Sequence, residues 1–284
     1  MFSMNRLSTE RRGQIVSLLV EGMSMRAISR ATGVARNTID KLLIDLGTAS
    51  AAFQDVTLRN LDIRRVECDE IWAFCYAKAK NVPEDFRDAP GYGDVWTWTA
   101  IDADTKLIPS WLVGERTTED CYTFLHDLRG RIKDRQRIQL STDGFGSYPP
   151  VVDALWRDGI DYAQIIKEYG TADTDHRYSP AVCTSIQKKR IAGDPDERLV
   201  STSYVERQNL TIRMGMRRFT RLTNAFSKKV ENHAHAVSLH FMHYNFARPH
   251  QTLSKAAGKP TTPAMAAGVE RYPWSVFQIA ELLD

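Results

Sequence analysis

Cysteine is scarce in this chain and carries no metal pattern. The four cysteines, Cys68, Cys75, Cys121 and Cys183, include no C-x-x-C pair, which argues against a zinc ribbon or a dithiol redox site. A secretory signal pattern is also missing, and scattered thiols fit a reducing compartment, so a bacterial cytoplasmic location is expected. No apolar run approaches the length of a membrane span, so no membrane partner is expected. Overall charge imbalance is small: 38 Lys and Arg face 35 Asp and Glu, a formal net charge of +3. That figure alone says nothing about nucleic acid. Acid is absent locally, however. Between Arg207 and Lys229 stand Arg207, Arg213, Arg217, Arg218, Arg221, Lys228 and Lys229, with no Asp or Glu among them. Such a run is either a solvated helix face or a surface that tracks phosphates. Apolar residues are not lacking. At 43% hydrophobic over 284 residues, the chain can bury a core in one large domain and one small one.

Residues 1–47 predict a compact helical unit. "STERRGQIVSLLVEG" has Ser8 as N-cap and Gly22 as stop, "SMRAISRATG" is capped by Ser24, and Gly33 turns into "VARNTIDKLLIDLG", ending at Gly47. Small Ala27, Gly33 and apolar Ile28, Val34 and Ile39 give the spacing of a helix-turn-helix. Its third helix would offer Arg36, Asn37 and Lys41 to a major groove, with Arg26 beside them. Ala35 stands where a capping Ser or Thr is expected, which weakens that helix start. Residues 48–62 read as a linker.

From residue 63 the period changes from helical to strand. "RRVECDEIWAFCYAK" alternates, "VWTWTAIDADTKLIPSWLVG" reads as two antiparallel strands turned at Ala103–Lys106, and "TTEDCYTFLHDLRGRIKD" is an amphipathic helix opened by Thr117. "RIQLSTDG" is a short buried strand, "SYPPVVDALWRDG" a helix with Pro in its first turn, and "DYAQIIKEY" a fifth strand. Residues 167–202 show no clean period and read as an insert. Helices are expected over roughly 203–219 and 224–246, and residues 249–284 as an extended tail. The order of elements fits a mixed α/β chain: a ribonuclease-H-like catalytic domain over 63–248 behind an N-terminal all-α helix-turn-helix. In that fold the first and fourth strands are neighbours, so Asp69 and Asp143 would meet.

Three carboxylates carry the chemistry: Asp69 in "VECDEIWAF", Asp143 in "IQLSTDGFGSY" and Glu206 in "TSYVERQNLTIRMGMRRF". Cutting a phosphodiester at neutral pH needs an activated water and a stabilised leaving oxygen, which two divalent ions on carboxylates can supply. Hard Mg²⁺ or Mn²⁺ takes such oxygen ligands. Arg213 falls two turns after Glu206, on the same helix face, where it could grip a phosphate. Glu70 points away from Asp69 by strand alternation and is read as an edge salt bridge. The histidines His233, His235, His240, His243 and His250 lack acid or Cys at ligand spacing, and Trp72, Trp96, Trp98 and Trp111 are read as core.

"CDEIW", "VGERTTED", "STDGFGSY", the long block "STSYVERQNLTIRMGMRRFTRLTNAFSKKVENHA" and "YNFARPHQTL" resemble DDE transposases of the insertion-sequence-one family. The resemblance covers most of residues 66–246. It implies cut-and-join chemistry at terminal inverted repeats with Mg²⁺ or Mn²⁺, Asp69, Asp143 and Glu206 as the acidic triad, and Arg213 as the basic residue after the Glu. It also implies double-stranded DNA as partner, both element ends and target, and a homodimer or larger assembly on that DNA. Arg217, Arg218 and Arg221 are expected to contact it, and the protein to be nucleoid-associated when bound. The chain departs from the smallest members: a helix-turn-helix replaces their cysteine zinc finger, and the gap from Asp143 to Glu206 is longer. A non-catalytic helix-turn-helix regulator, and a ribonuclease H or resolvase-type nuclease, are the competing readings.

Overall fold

Six strands form one mixed sheet in the order β3-β2-β1-β4-β5-β6. The structure is a computed structural model and describes residues 7–87, 89, 91–170, 183–220 and 225–284. The strands are β1 (Arg65–Cys75), β2 (Gly93–Asp102), β3 (Ser110–Gly114), β4 (Ile138–Asp143), β5 (Ile160–Tyr169) and β6 (Cys183–Ala192). β1 to β3 are antiparallel neighbours, whereas β4 lies parallel to both β1 and β5. This is the ribonuclease-H-like arrangement, extended by β6, which pairs antiparallel with β5. β6 falls inside residues 167–202, so that segment is in part a sheet strand. Its side chains are mostly exposed, and without a buried face it carries no period to read.

Before the sheet come α1 (Thr9–Val20), α2 (Met25–Thr32) and α3 (Arg36–Thr57). Ser8 and Ser24 accept hydrogen bonds from Arg11 N and Ala27 N, each 3.2 Å, as N-caps. Gly33 ends α2 at φ +69°, a left-handed conformation that favours glycine. Ala35 gives α3 no side-chain cap.

The sequence reads Gly47 as a helix stop and 48–62 as a linker; the structure instead carries α3 through to Thr57. Gly47 is there for close approach. A Cβ added to it would lie 2.5 Å from His235 Cβ and 2.6 Å from His235 Cα. His235 belongs to α7 (Val230–Met242), which continues into a π-helical turn, His243–Ala247. Polar bonds lock the crossing: Ser238 Oγ donates to Gly47 O at 2.7 Å, and Gln54 Nε2 to Ser238 O at 3.3 Å. Asn245 Nδ2 donates to Gln54 Oε1 at 3.3 Å and to Ile108 O at 2.9 Å, and its Oδ1 accepts from Ile108 N at 3.0 Å. The buried Asn245 thus ties α3 to the β2–β3 connection. One continuous apolar core runs from Ile15, Ile28 and Leu46 to Leu140 and Tyr162 of the sheet.

The remaining helices are α4 (Thr118–Arg131), α5 (Tyr148–Trp156), α6 (Ser203–Gly215), α8 (Gln251–Ala257), α9 (Pro263–Ala266) and α10 (Val276–Glu281). Residues 249–284 are therefore folded rather than an extended tail. α10 starts in a capping box of Ser275 and Gln278. Arg12 Nη2 meets Asp284 Oδ1 at 2.5 Å, and Trp274 packs tilted against Phe53 and Phe246 with ring centres 4.9 and 5.7 Å apart. These helices are too short to show a period. The helix expected over 203–219 also ends early, at Gly215, followed by a 3₁₀ turn at Arg217–Phe219, so the basic run is not one helix. Among the described residues no helix is long and apolar enough to cross a membrane.

Candidate active site

Asp69 and Asp143 come together because β1 and β4 run parallel. Cys68 pairs with Thr142 across them, and each aspartate is the next residue along. Asp143 ends its strand, where Oδ1 accepts from Phe145 N at 2.9 Å. Gln164 of β5 holds this turn by donating Nε2 to Asp143 O at 3.0 Å and Phe145 O at 3.2 Å.

Glu70 joins them. One carboxylate oxygen from each of Asp69, Glu70 and Asp143 lies within 4.8 Å of the others. The sequence expects Glu70 in an edge salt bridge; it does pair with Arg116 Nε at 3.1 Å, but β1 is a central strand and the Glu70 side chain is 1% exposed. Crowding raises both neighbours. Burial, then the charge of Asp143, pushes Asp69 up to about 7. The same causes push Glu70 up to about 8.

α6 is docked on β1 by two carboxylates of one strand face, Glu67 and Asp69, two residues apart. Buried Glu67 accepts through Oε2 from Tyr204 N at 2.7 Å and Val205 N at 3.1 Å, the first turn of α6. This is an N-cap supplied from another element, and it also meets the positive end of the helix dipole. Asn209 Nδ2, one turn further, donates to Asp69 Oδ2 at 2.8 Å. Glu67→Ala is expected to cost about 2 kcal/mol of stability, from two orphaned N–H groups, that of Val205 buried and that of Tyr204 partly so. Chemical denaturation checks this; an unchanged midpoint would mean water replaces the carboxylate.

Glu206 lies between those two anchors and lines one cleft of about 580 Å³ with Asp69, Asp143, Arg116, Lys167 and Thr202. It is outside the three-oxygen cluster. Its Oε1 is held by Lys167 Nζ and by Thr202 Oγ1, the latter at 2.5 Å. Two cations, Lys167 and Arg116, therefore offset part of the negative charge of the cleft. Arg116 spans Glu70 and Asp143, 3.3 Å from the latter, with its guanidinium 4.2 Å from the centre of the Phe145 ring.

The other expected site residues are spread more widely. Arg213 is half-buried on α6 and does not line the cleft. Arg217 is exposed. Arg218 turns inward, with Nη1 on Ser227 Oγ at 2.9 Å, and Ser227 in turn contacts His233 Nδ1 at 2.9 Å. Arg221 lies outside the described residues. Arg26, Arg36 and Asn37 line one shallow surface with Arg30. Lys41 is exposed, its ammonium 2.5 Å from Asp45. Burial pushes His233 and His240 down to about 3, so they are neutral, and no histidine joins a metal-capable group among the described residues. Trp98 is fully buried in the core. Sequence reading missed Arg116, Lys167 and Glu67. Glu67 had a usable signal, the period of two that sets it on Asp69's face.

Residues 93–177 match the DDE_Tnp_IS240 family model, a DDE domain. The matched stretch, which holds Asp143 but neither Asp69 nor Glu206, is similar to the DDE domain of transposases. No curated protein matches the chain. Among solved structures it is similar to a piggyBac transposase synaptic complex with hairpin DNA, at 12% identity and TM-score 0.43, covering 100% of this chain and 72% of that one. It is also similar to the Mos1 strand transfer complex, at 10% identity and TM-score 0.25, covering 85% of this chain and 77% of that one. Likeness that distant adds nothing to the topology. A DDE domain uses divalent metal on carboxylates, and the donor set here fits one: clustered hard oxygens whose pKa values are raised first by burial and then by the charge of their neighbours, both of which a bound cation would offset.

Proposed function

We propose that this protein is an insertion-sequence transposase that binds the terminal inverted repeats of its element and cleaves and rejoins DNA strands there. The observation that carries the reading is the meeting of Asp69, Asp143 and Glu206 in one cleft of a chain similar over residues 93–177 to a DDE domain. Asp69 and Asp143 would share Mg²⁺ or Mn²⁺, and Glu206 would complete the site. When bound, the ions supply an activated water and charge stabilisation at the leaving 3′ oxygen. The chain's residues do the positioning. Asn209 and Glu67 hold α6 against β1 and Gln164 holds the Asp143 turn, whereas Arg213, which does not line the cleft, is given no place beside the scissile bond. The insertion-sequence-one grouping rests on the quoted motifs alone.

The helix-turn-helix of residues 1–47 would seat Arg36 and Asn37 in the major groove, with Arg26, Lys41, Arg217 and Arg221 as further DNA contacts; Arg218, turned inward onto Ser227, is left out of that set. Phosphate contacts supply most of the affinity and base contacts the register. Joining two ends requires at least two protomers. Support for the N-terminal part comes from the surface shared by Arg26, Arg30, Arg36 and Asn37. Arg36→Ala is expected to weaken binding to cognate ends by about 1–3 kcal/mol and to random DNA far less. Anisotropy titrations decide this; equal loss on both would make Arg36 a phosphate contact only.

The deciding experiment is strand cleavage and joining on labelled DNA bearing the inverted repeat, with Mg²⁺ or EDTA, for wild type, Asp143→Asn and Glu206→Gln. Metal-dependent nicking at the repeat tip, lost in both variants with end binding intact, is expected. Tight end binding by wild type without cleavage would instead favour a regulator, and full cleavage by Asp143→Asn would overturn the metal-site assignment.

A further inference from the structure

Lys167 and Arg116 are the two cations in the cleft to which the proposed chemistry gives no task, and Lys167 is the one on Glu206. Lys167 follows Ile165 by two positions on β5, and Ile165 pairs with Asp143. The strand rise therefore sets Lys167 about 7 Å further along the cleft than Asp143. Its ammonium is on Glu206 Oε1, with the two side chains 26% and 43% exposed. Among the described residues the cleft region holds four carboxylates, Asp69, Glu70, Asp143 and Glu206, against two cations, Arg116 and Lys167. An ammonium on the Glu206 oxygen repels a divalent ion approaching that carboxylate, and a cleft with surplus negative charge repels a polyanion.

We propose that Lys167 is an internal counter-ion of Glu206: it competes with the divalent cation for that carboxylate, and once displaced it binds a phosphate oxygen of the DNA strand in the cleft. No bond is made or broken covalently; one ammonium exchanges a carboxylate for a phosphate. Cation and DNA binding are then positively coupled, because each favours the arrangement with Lys167 off Glu206. The inference rests on the reading of Glu206 as a metal ligand.

The test is Mn²⁺ binding to the full chain, followed by the spectroscopic signal of free Mn²⁺, for wild type, Lys167→Gln, Lys167→Arg and Glu206→Gln. Anisotropy of a labelled duplex with and without Mn²⁺ is measured alongside. Lys167→Gln should bind Mn²⁺ about five- to ten-fold more tightly and lose most of the Mn²⁺-dependent gain in DNA affinity. Lys167→Arg keeps the charge and should leave Mn²⁺ affinity near wild type, which separates charge from altered packing. Unchanged or weaker Mn²⁺ binding by Lys167→Gln, with Glu206→Gln weakened, overturns this inference alone. Tighter Mn²⁺ binding with the DNA gain intact overturns the passage to phosphate. Unchanged Mn²⁺ binding by Glu206→Gln overturns the metal-ligand reading and the inference with it.

Discussion

Asp69→Asn will abolish strand cleavage and, in the same protein, raise the metal-free melting temperature at pH 8. The first effect follows from its proposed place as a shared metal ligand: loss of the ligand charge should lower the rate by more than about a thousand-fold. The second follows from the environment of the group. Burial, and then Asp143, raise the Asp69 carboxyl to about 7, against about 3.9 in an unfolded chain. Between those values the folded state holds the proton more tightly, so its stability falls as pH rises from about 4 to about 7 and is level above that. A shift of this size in a fully dry carboxyl corresponds to roughly 4 kcal/mol. Asp69 keeps some contact with the cleft, so about 2 kcal/mol is expected, or about 5 °C for a chain of this length. Asparagine removes the charge and keeps an acceptor for Asn209 Nδ2. Scanning calorimetry in EDTA should show the variant melting higher at pH 8 and converging on wild type towards pH 4. A variant no more stable at pH 8 would mean that the cluster is relaxed without a cation.

Gly47→Ala will destabilise the protein by about 3 kcal/mol, although a helix taken alone predicts the opposite. Alanine in a helix interior is favoured over glycine by roughly 0.5–1 kcal/mol, and Gly47 is inside α3. The added Cβ would meet His235 Cβ at 2.5 Å, His235 Cα at 2.6 Å and His235 O at 2.7 Å. Two of those atoms are backbone, so no rotamer change relieves the clash, and α3 and α7 must move apart. That displacement would also stretch the Ser238 bond to Gly47 O and the Gln54 bond to Ser238 O. Because α3 carries Arg36 and Asn37 at one end and Gln54 at the other, the proposed DNA-reading surface should shift relative to the sheet. A denaturation midpoint at or above wild type would show that the crossing is looser than its packing implies.

What could be read along the chain was what neighbouring residues decide among themselves. Ser8, Ser24 and Thr117 cap the helices they precede, because a cap is a bond over three residues. The strand periods place Asp69 on β1 and Asp143 at the end of β4, and their meeting follows once β1 and β4 are parallel. Only the tertiary structure decided the rest, since each remaining feature pairs atoms remote in sequence. Gly47 reads as a stop until α7 is beside it. The residues after 248 show no period because their short helices find a buried face only on α1, α3 and the π-helical turn His243–Ala247. Glu70 reads as an edge ion pair until Arg116 and Asp143 close over it. Glu67 and Lys167 acquire their partners on α6 from 137 and 39 positions away. Local hydrogen bonding and periodicity thus determined most of the elements and where Asp69 and Asp143 stand along their strands. The electrostatics that govern those acids are set by long-range contacts, which no sequence window contains.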